Sequence, residues 1–504
     1  MKFLTGTVSN GMKKFYITTT LPYVNADPHI GFALEIVQAD VIARYFALKK
    51  YEVFFNTGTD EHGLKVFQGA QKEKIDPKKY CDIYAEKNKK LKLSLNLSYN
   101  NFIRTTDDFH IKAAQEFWIL CQKNGDIYKK KYKIKYCVGC ELEKTESELI
   151  NGRCPLHPDQ EIQIIEEENY FFRYSKYQKP LLDFYKKNKN FVIPEQRFNE
   201  IKEFTKRGLE DFSISRLKEK MSWGVPVPND EKHIMYVWFD ALVNYISVLG
   251  WPKNSKKFKD FWPGMQVAGK DNLRQQSSMW QAMLLSASLP NSKQIFIHGF
   301  ITSNGQKMSK SSGNVVNPFE LVEKYGIDVV RYFLLAEFPP AEDGDFTIKR
   351  FEERYNSDLA SGIGNLVARV VAMAEKKTKN QKLKTKNTIQ NLKLKKEIKN
   401  TQKKYKEALD NFKFNEALKS IWELISFCDK YINEEKPWEE KDEKAKIKNQ
   451  KVINDLLFVL GEIADLLLPF LPQTAEKIKK QIEIDKKTGE LKNKKSPLLF
   501  PRLT

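Results

Sequence analysis

The 504-residue sequence has no long uninterrupted apolar run. Its most apolar stretch, residues 455–472, is broken by Glu462 and Asp465, so it reads as a packed helix and not as a membrane span. Residues 1–11 carry a lysine at position 2 but reach Thr5 and Gly6 before any apolar segment of useful length, and no targeting segment is expected. Cysteine is sparse: there are six, three of them crowded into residues 137–154, while Cys81, Cys121 and Cys428 stand alone in helix-like contexts. That distribution argues against a disulfide framework and for a reducing, cytoplasmic setting with a metal site. Acidic residues are too few to balance the basic ones, 65 against 85, which leaves a net charge of +20. Such an excess suits an anionic partner, nucleic acid first, although a genome-wide lysine and asparagine bias would leave the same composition. There is no internal repeat.

What is present can bury real cores. Apolar residues make up 41% and aromatics 12%, which excludes wholesale disorder. At roughly 150 residues per domain the chain should hold about three domains, too many for a single small binding module. Residues 14–20 read as a strand, 30–45 as a helix with one apolar face, and 52–56 as a second strand ending in the loop Gly58-Thr59-Asp60-Glu61-His62-Gly63. Strand, helix, strand in so short a span is a βαβ unit. It implies a parallel sheet with its ligand crevice at the carboxyl ends of the strands.

Residues 76–95 read as a further helix. From about 126 to 223 the character changes to short strand-like pieces around the cysteine cluster, which reads as an insertion into the sheet domain. Sheet-like patterning resumes at 234–239, 265–268 and 294–301, and from about 361 onward the periodicity is helical nearly throughout. The lysine-rich stretch 375–404 reads as a solvated helix pair and its loop in preference to a dedicated RNA-binding arm.

Three groups of residues carry chemistry. Pro28-His29-Ile30-Gly31-Phe32 lies where a strand turns into a helix. An open helix start offers free N–H groups to a phosphate, His29 could add a donor, and Gly31 permits close approach. Lys307-Met308-Ser309-Lys310-Ser311-Ser312-Gly313 is a flexible cationic loop that could close over a triphosphate, or an ordinary basic surface loop. Cys137-x2-Cys140, thirteen residues, then Cys154-x2-His157 has the spacing of a tetrahedral Cys3His zinc site. Protein fills all four positions there, so the zinc, one per chain, should be structural.

The first two groups together resemble the paired nucleotide-binding sequences of class I aminoacyl-tRNA synthetases, and more closely those of their methionyl family. The resemblance runs from about Lys14 to the last residues. It rests on Leu21-Pro22-Tyr23-Val24-Asn25, His29-Ile30-Gly31, Gln38-Ala39-Asp40, the Gly58 to Gly63 loop, Val237-Trp238-Phe239-Asp240-Ala241, Gly269-Lys270-Asp271 and Lys307 to Ser311.

It implies a Rossmann-type α/β catalytic domain in two halves, 14–125 and 226–305, split by a connective insertion with a zinc knuckle at 126–225. A linking region with the lysine loop would follow at 306–360, then an all-α anticodon-binding domain at 361–504. It further implies methionine–tRNA ligase chemistry with ATP, magnesium and tRNA(Met), and no membrane partner. His29, Gly31, Gly269, Asp271 and Lys310 match nucleotide-binding positions, with Lys307 beside them in the catalytic set. Leu21 and Asp60 match positions that hold the methionine amino group. Tyr23, Trp238, Ala241, Tyr245 and Gln276 match the side-chain pocket, where aromatic walls suit a polarizable thioether. Asn365 and Arg369, four residues apart on one helix face, match with Trp438 the positions that read the anticodon. No dimerising tail is expected, so monomer is the default.

Two positions depart from the family pattern. Phe32 stands where a second histidine is usual, and Gln275-Gln276 stands where an aromatic–histidine pair is usual. Phe32 cannot donate to phosphate, whereas Gln276 still can hydrogen-bond with a different geometry. The rival expectations are a synthetase of altered amino-acid specificity and a tRNA-binding relative without catalysis.

Overall fold

The computed structural model describes residues 11–503 apart from 141, 145–147, 309–313, 379–388, 390, 440, 485–490 and 493–496. The chain forms two compact units. The first comprises residues 1–28, 49–92 and 98–298, and the second 29–48, 93–97 and 299–504.

A six-stranded, all-parallel sheet organises the first unit. Its strands are β1 (Lys14–Thr19), β2 (Glu52–Thr59), β3 (Asn101–Arg104), β4 (Val192–Ile193), β5 (Met265–Gly269) and β6 (Gln294–His298), in the spatial order β3-β2-β1-β5-β6-β4. All five residues of β5 are buried, and so are five of the six in β1. Near-continuous burial is what a parallel sheet covered on both faces requires. The edge strand β4 comes from within the stretch read as inserted, so that stretch returns once to the main sheet. Aromatic packing fills the core: Phe117 stacks on Trp280 with ring centroids 5.6 Å apart, and Trp118 meets Phe239 edge-on at 5.2 Å.

The inserted region builds its own antiparallel sheet from Ile127–Cys137, Gln163–Phe172, Leu142–Glu143 and Phe212–Ser213. A second antiparallel sheet joins Ser215–Leu217, Asp230–Met235 and Pro226–Val227. The strand expected over 234–239 therefore needs correcting. It ends at Met235, lies outside the main sheet, and gives way to a helix over Val237–Ala241. A short run of aromatic and β-branched residues is equally compatible with a buried helical turn, and tertiary packing decided between them.

The second unit contains helix α1 (Ile30–Leu48) together with α2 (Ile327–Ala336), α3 (Asn365–Thr378), α4 (Leu392–Asp410), α5 (Phe414–Glu435), α6 (Glu443–Leu467) and α7 (Pro472–Gln481). The helix Ile348–Arg354, the π-helical segment Tyr355–Gly364 and α3 run on without a break, and residue 361 lies inside that run. Part of the 375–404 stretch lies outside the described residues. Among the described residues no helix is long and apolar enough to cross a membrane.

Helix α1 is buried nearly all round, not on one face as its apolar spacing suggested. Glu35, Gln38 and Asp40 are all inside. Asp40 explains how a charge is tolerated there. Its carboxylate receives Arg331 of α2 at 2.8 Å and Arg44 at 2.7 Å, and neither the Asp40 nor the Arg331 side chain has exposed surface. Arg331 also donates to the carbonyls of Phe470 (2.7 Å), Leu95 (3.0 Å) and Pro469 (2.9 Å). Burial pulls the Arg331 pKa below its ordinary value, and Asp40 opposes that shift. Breaking a buried pair strands one charge without water or partner. Asp40→Asn is expected to destabilise the second unit by about 3–5 kcal/mol in urea unfolding. The double variant Asp40→Asn/Arg331→Met should lose less than the sum of the singles.

Candidate functional site

In the first unit the segments following β1 and β2 zip together beyond the sheet. Tyr23 and Asp60 form a parallel bridge, with Asp60 N–H donating to Pro22 O at 3.0 Å and Val24 N–H to Asp60 O at 3.3 Å. This sets Leu21, Tyr23 and the buried carboxylate of Asp60 at the carboxyl ends of adjacent strands, the crevice position of such sheets. Gly58 is required by close approach, because a Cβ there would sit 1.8 Å from Ile103 O of β3.

The two residues after Asp60 are anchors. Buried Glu61 takes Arg104 through Nε at 2.6 Å and Nη2 at 2.9 Å, and Thr59 Oγ1 at 2.7 Å. His62 Nδ1 lies 2.6 Å from Asp240 Oδ2, deep in the protein. Burial raises the Asp240 carboxyl above its ordinary value, and the imidazole pulls it back. The sequence reading assigned no role to the His62–Asp240 pair. A charged residue in an otherwise apolar Trp-Phe-Asp-Ala turn was its one visible signal.

The 237–241 helix, tied down through Asp240, carries Trp238 and Ala241. Trp238 Nε1–H donates to the Tyr23 hydroxyl at 3.1 Å. Gln276 lies in a π-helical turn at Gln275–Met279 and donates to the Tyr245 hydroxyl at 2.8 Å. Tyr23 with Trp238 and Asp60, and Tyr245 with Gln276, are thus two polar-edged aromatic groupings within one unit. Gly269 ends β5, and Asp271 follows it on an exposed turn.

In the second unit His29 stands immediately before α1. Its Nδ1 accepts the Gly31 N–H at 3.0 Å, so in the neutral ring the proton sits on Nε2, available as a donor. The helix start is not open as the sequence suggested. Ile30 N–H goes to Val316 O at 3.0 Å, and the Phe32 and Ala33 N–H groups both go to His29 O at 3.1 Å. His29 caps its own helix, leaving the dipole and the imidazole, not bare amides, to meet an anion. A Cβ at Gly31 would press 2.8 Å from the His29 ring, so the glycine is needed for the cap.

Lys307 closes a short hairpin, Ile301–Ser303 with Gln306–Lys307. Ser309 to Gly313, with Lys310, lie outside the described residues. Asn365 and Arg369 are both on α3. Arg369 pairs with Asp429 at 3.0 Å and Asn433 at 2.8 Å, so part of its fork is already engaged. Trp438 is 48% exposed in a turn after α5 rather than buried at a helix start.

Cys137, Cys140, Cys154 and His157 come together, their ligand atoms all within 4.8 Å of one another. Cys140 Sγ lies 3.4 Å from Cys154 Sγ and 3.3 Å from His157 Nδ1, and Cys137 Sγ lies 3.8 Å from that nitrogen. Tetrahedral zinc bonds of about 2.0–2.3 Å give ligand separations of roughly 3.6–3.8 Å, so the donor set fits a metal ion. Burial and the neighbouring Cys154 push the Cys140 thiol up to about 12, a proton that a bound cation would displace. A Cβ on Gly139 would strike the His157 ring at 2.3 Å, which is why the knuckle turns on glycine.

Comparison with known proteins gives consistent matches along the chain. The family described as "tRNA synthetases class I (M)" matches residues 15–163 and 143–371, and "Anticodon-binding domain of tRNA ligase" matches 391–501. A methionine–tRNA ligase of Thermotoga maritima is 43% identical over 95% of this chain and 76% of its own length. One from Thermosynechococcus vestitus is 40% identical over 93% of this chain and 90% of its own. The Mycobacterium tuberculosis methionyl-tRNA synthetase in complex with methionyl-adenylate superposes with a TM-score of 0.89 at 36% identity, covering 93% of this chain and 94% of that one.

The cysteine cluster predicts one tightly held metal ion per chain. Elemental analysis of purified protein should find it. Cys154→Ala should reduce the metal content to near zero, and retention of a full equivalent would place the metal elsewhere.

Proposed function

The chain belongs to the methionine–tRNA ligases of the class I synthetase family, and we propose that it performs their reaction through the two groups of residues described above. The enzyme activates methionine with ATP and charges tRNA. In the first step the methionine carboxylate attacks the ATP α-phosphorus, a P–O bond to pyrophosphate breaks, and methionyl-adenylate forms. In the second, a ribose hydroxyl of the 3'-terminal adenosine of tRNA(Met) attacks the adenylate carbonyl and releases AMP. The carboxylate is already ionised at neutral pH, so activation needs no general base. Catalysis then consists of positioning and neutralisation of phosphate charge.

The buried Asp60 carboxylate, bridged through its backbone to Tyr23 and flanked by the fixed loop, is the observation that carries the reading. It suits the ammonium group of a free amino acid, with the Leu21 backbone beside it. Tyr23, Trp238, Ala241, Tyr245 and Gln276 would line the space for the thioether. His29 would donate from Nε2 to phosphate, with Gly31 permitting the cap that orients the ring. Phe32 leaves the ring of His29 as the donor at this helix start. Gly269 and Asp271 would take the ribose. Lys307 and Lys310 would neutralise the departing pyrophosphate, a role that rests on sequence alone for Lys310. Magnesium accompanies the ATP. Zinc held by Cys137, Cys140, Cys154 and His157 would stiffen the knuckle and take no part in bond making.

Asn365, Arg369 and exposed Trp438 would meet the anticodon, the indole by stacking on a base and the polar pair by hydrogen bonds. The net charge of +20 supplies the salt-dependent attraction to RNA. A ligase of this kind works in the cytoplasm, where its tRNA is.

Methionine-dependent ATP–pyrophosphate exchange, run against leucine, isoleucine, valine and cysteine, tests the reading. Exchange with methionine alone is expected. No exchange from folded, metal-loaded protein would favour a tRNA-binding relative without catalysis. Lys310→Ala should cut the exchange kcat by at least about a hundredfold with little change in the KM for methionine, as loss of a group acting in the transition state does. Trp438→Ala should raise the KM for tRNA in charging about tenfold or more and leave exchange unchanged.

A further inference from the structure

Asp60 and Trp238 lie on stretches of chain far apart in sequence, one in the loop after β2 and one in the 237–241 helix. Two connections join those stretches. Tyr23, bridged through its backbone to Asp60, accepts the Trp238 Nε1–H at 3.1 Å. Two residues further along each stretch, His62 Nδ1 meets Asp240 Oδ2 at 2.6 Å. Together they close a ring. It runs along the loop from Asp60 to His62, across to Asp240, back along the helix to Trp238, then through Tyr23 to Asp60. One hydrogen bond alone would leave the helix a hinge, and a second at a separate point removes it.

The second connection is the more deeply placed. The Asp240 side chain has no exposed surface, and that of His62 has 5%. The His62 ring meets Trp223 edge-on with centroids 5.7 Å apart, and the Trp223 Nε1–H donates to the Glu61 carbonyl at 2.6 Å. One indole therefore holds both the ring and the backbone just before it. A buried pair of this kind is weak evidence for stability, because apolar residues of the same volume often serve as well or better. What it does supply is direction. Imidazole and carboxylate meet at one distance and angle, whereas apolar surfaces can slide.

We infer that His62 and Asp240 are positioning residues for amino-acid selectivity, fixing the space between the Asp60 carboxylate and the Trp238–Ala241 wall and thereby the length of side chain accepted. This deepens the proposed function and rests on the assignment of Asp60 to the ammonium group and of Trp238 and Ala241 to the side chain. A substrate held at its ammonium end is measured by the wall at its other end. A fixed pocket separates side chains that differ by one methylene about 10- to 200-fold, and a wall free to shift gives up that separation. Ethionine, the S-ethyl homologue of methionine, is one methylene longer and reads the spacing directly.

The test measures ATP–pyrophosphate exchange with methionine and with ethionine for the wild type, for His62→Phe/Asp240→Leu and for His62→Asn. The double variant removes the hydrogen bond without leaving a buried charge unpartnered. It should raise the KM for methionine about tenfold while kcat stays within about twofold, and should cut the preference for methionine over ethionine about tenfold. His62→Asn, whose side-chain amide offers an N–H near the place of Nδ1–H, should keep the preference within about threefold of wild type. Should the double variant fail to fold, His62→Leu/Asp240→Leu, with a smaller side chain at position 62, carries the same expectation. The proposal is overturned if the folded double variant keeps the wild-type preference, as a merely structural pair would allow. It is overturned too if kcat falls as much as KM rises, or if His62→Asn loses as much preference as the double variant. Absence of methionine-dependent exchange in the wild type would instead overturn the reading of function itself.

Discussion

A guanidinium with no exposed surface holds the second unit together. Arg331 reaches Asp40 of α1, the carbonyl of Leu95 and the carbonyls of Pro469 and Phe470, so one side chain gathers three separate stretches of sequence. Taking that charge out of water is costly, and a carboxylate together with three carbonyls is the compensation. Arg44 reinforces the same point by bonding both Asp40 and the carbonyl of Asn96. Helix α1 follows β1 in the chain, yet these bonds make it part of the second unit. His29 at its start is therefore set in place by an acid eleven residues further on.

The first unit shows the same economy with a different charge. In the loop after β2, Asp60, Glu61 and His62 are consecutive and all buried, but they do different work. Glu61 is consumed by Arg104 and the threonines around it, and His62 by Asp240. Those two anchors hold the loop on one side and the 237–241 helix on the other. Asp60 comes directly before them, its backbone bridged to Tyr23. Two anchored residues thus follow the carboxylate proposed to meet substrate.

Much of this was legible in one dimension, and the failures have physical causes. Strand, helix and strand at the amino end, the parallel sheet, the later helical region and the cysteine cluster follow from periodicity and spacing, which are local properties. The strand expected over 234–239 failed because an apolar aromatic run does not say whether it will extend or coil. The open helix start failed because the capping group was the very histidine cast as a ligand-binding donor, and a side chain's own backbone contacts do not show in a motif. Trp438, by contrast, could have been a helix-start core residue. Its half-exposed position in a turn is compatible with stacking on RNA.

The sequence by itself determined the family, the parallel sheet followed by a helical region, the candidate metal-ligand set and the list of residues proposed to bind methionine and nucleotide. These are encoded as residue types at fixed intervals along the chain, and an interval survives without coordinates. Only the tertiary structure decided which polar residues are anchors and which remain available. Asp40 with Arg331, Glu61 with Arg104, and His62 with Asp240 each join residues far apart in the chain. No periodicity links such pairs. What selects them is the cost of a buried charge, which the folded chain must offset with whatever partner packing brings within hydrogen-bond reach.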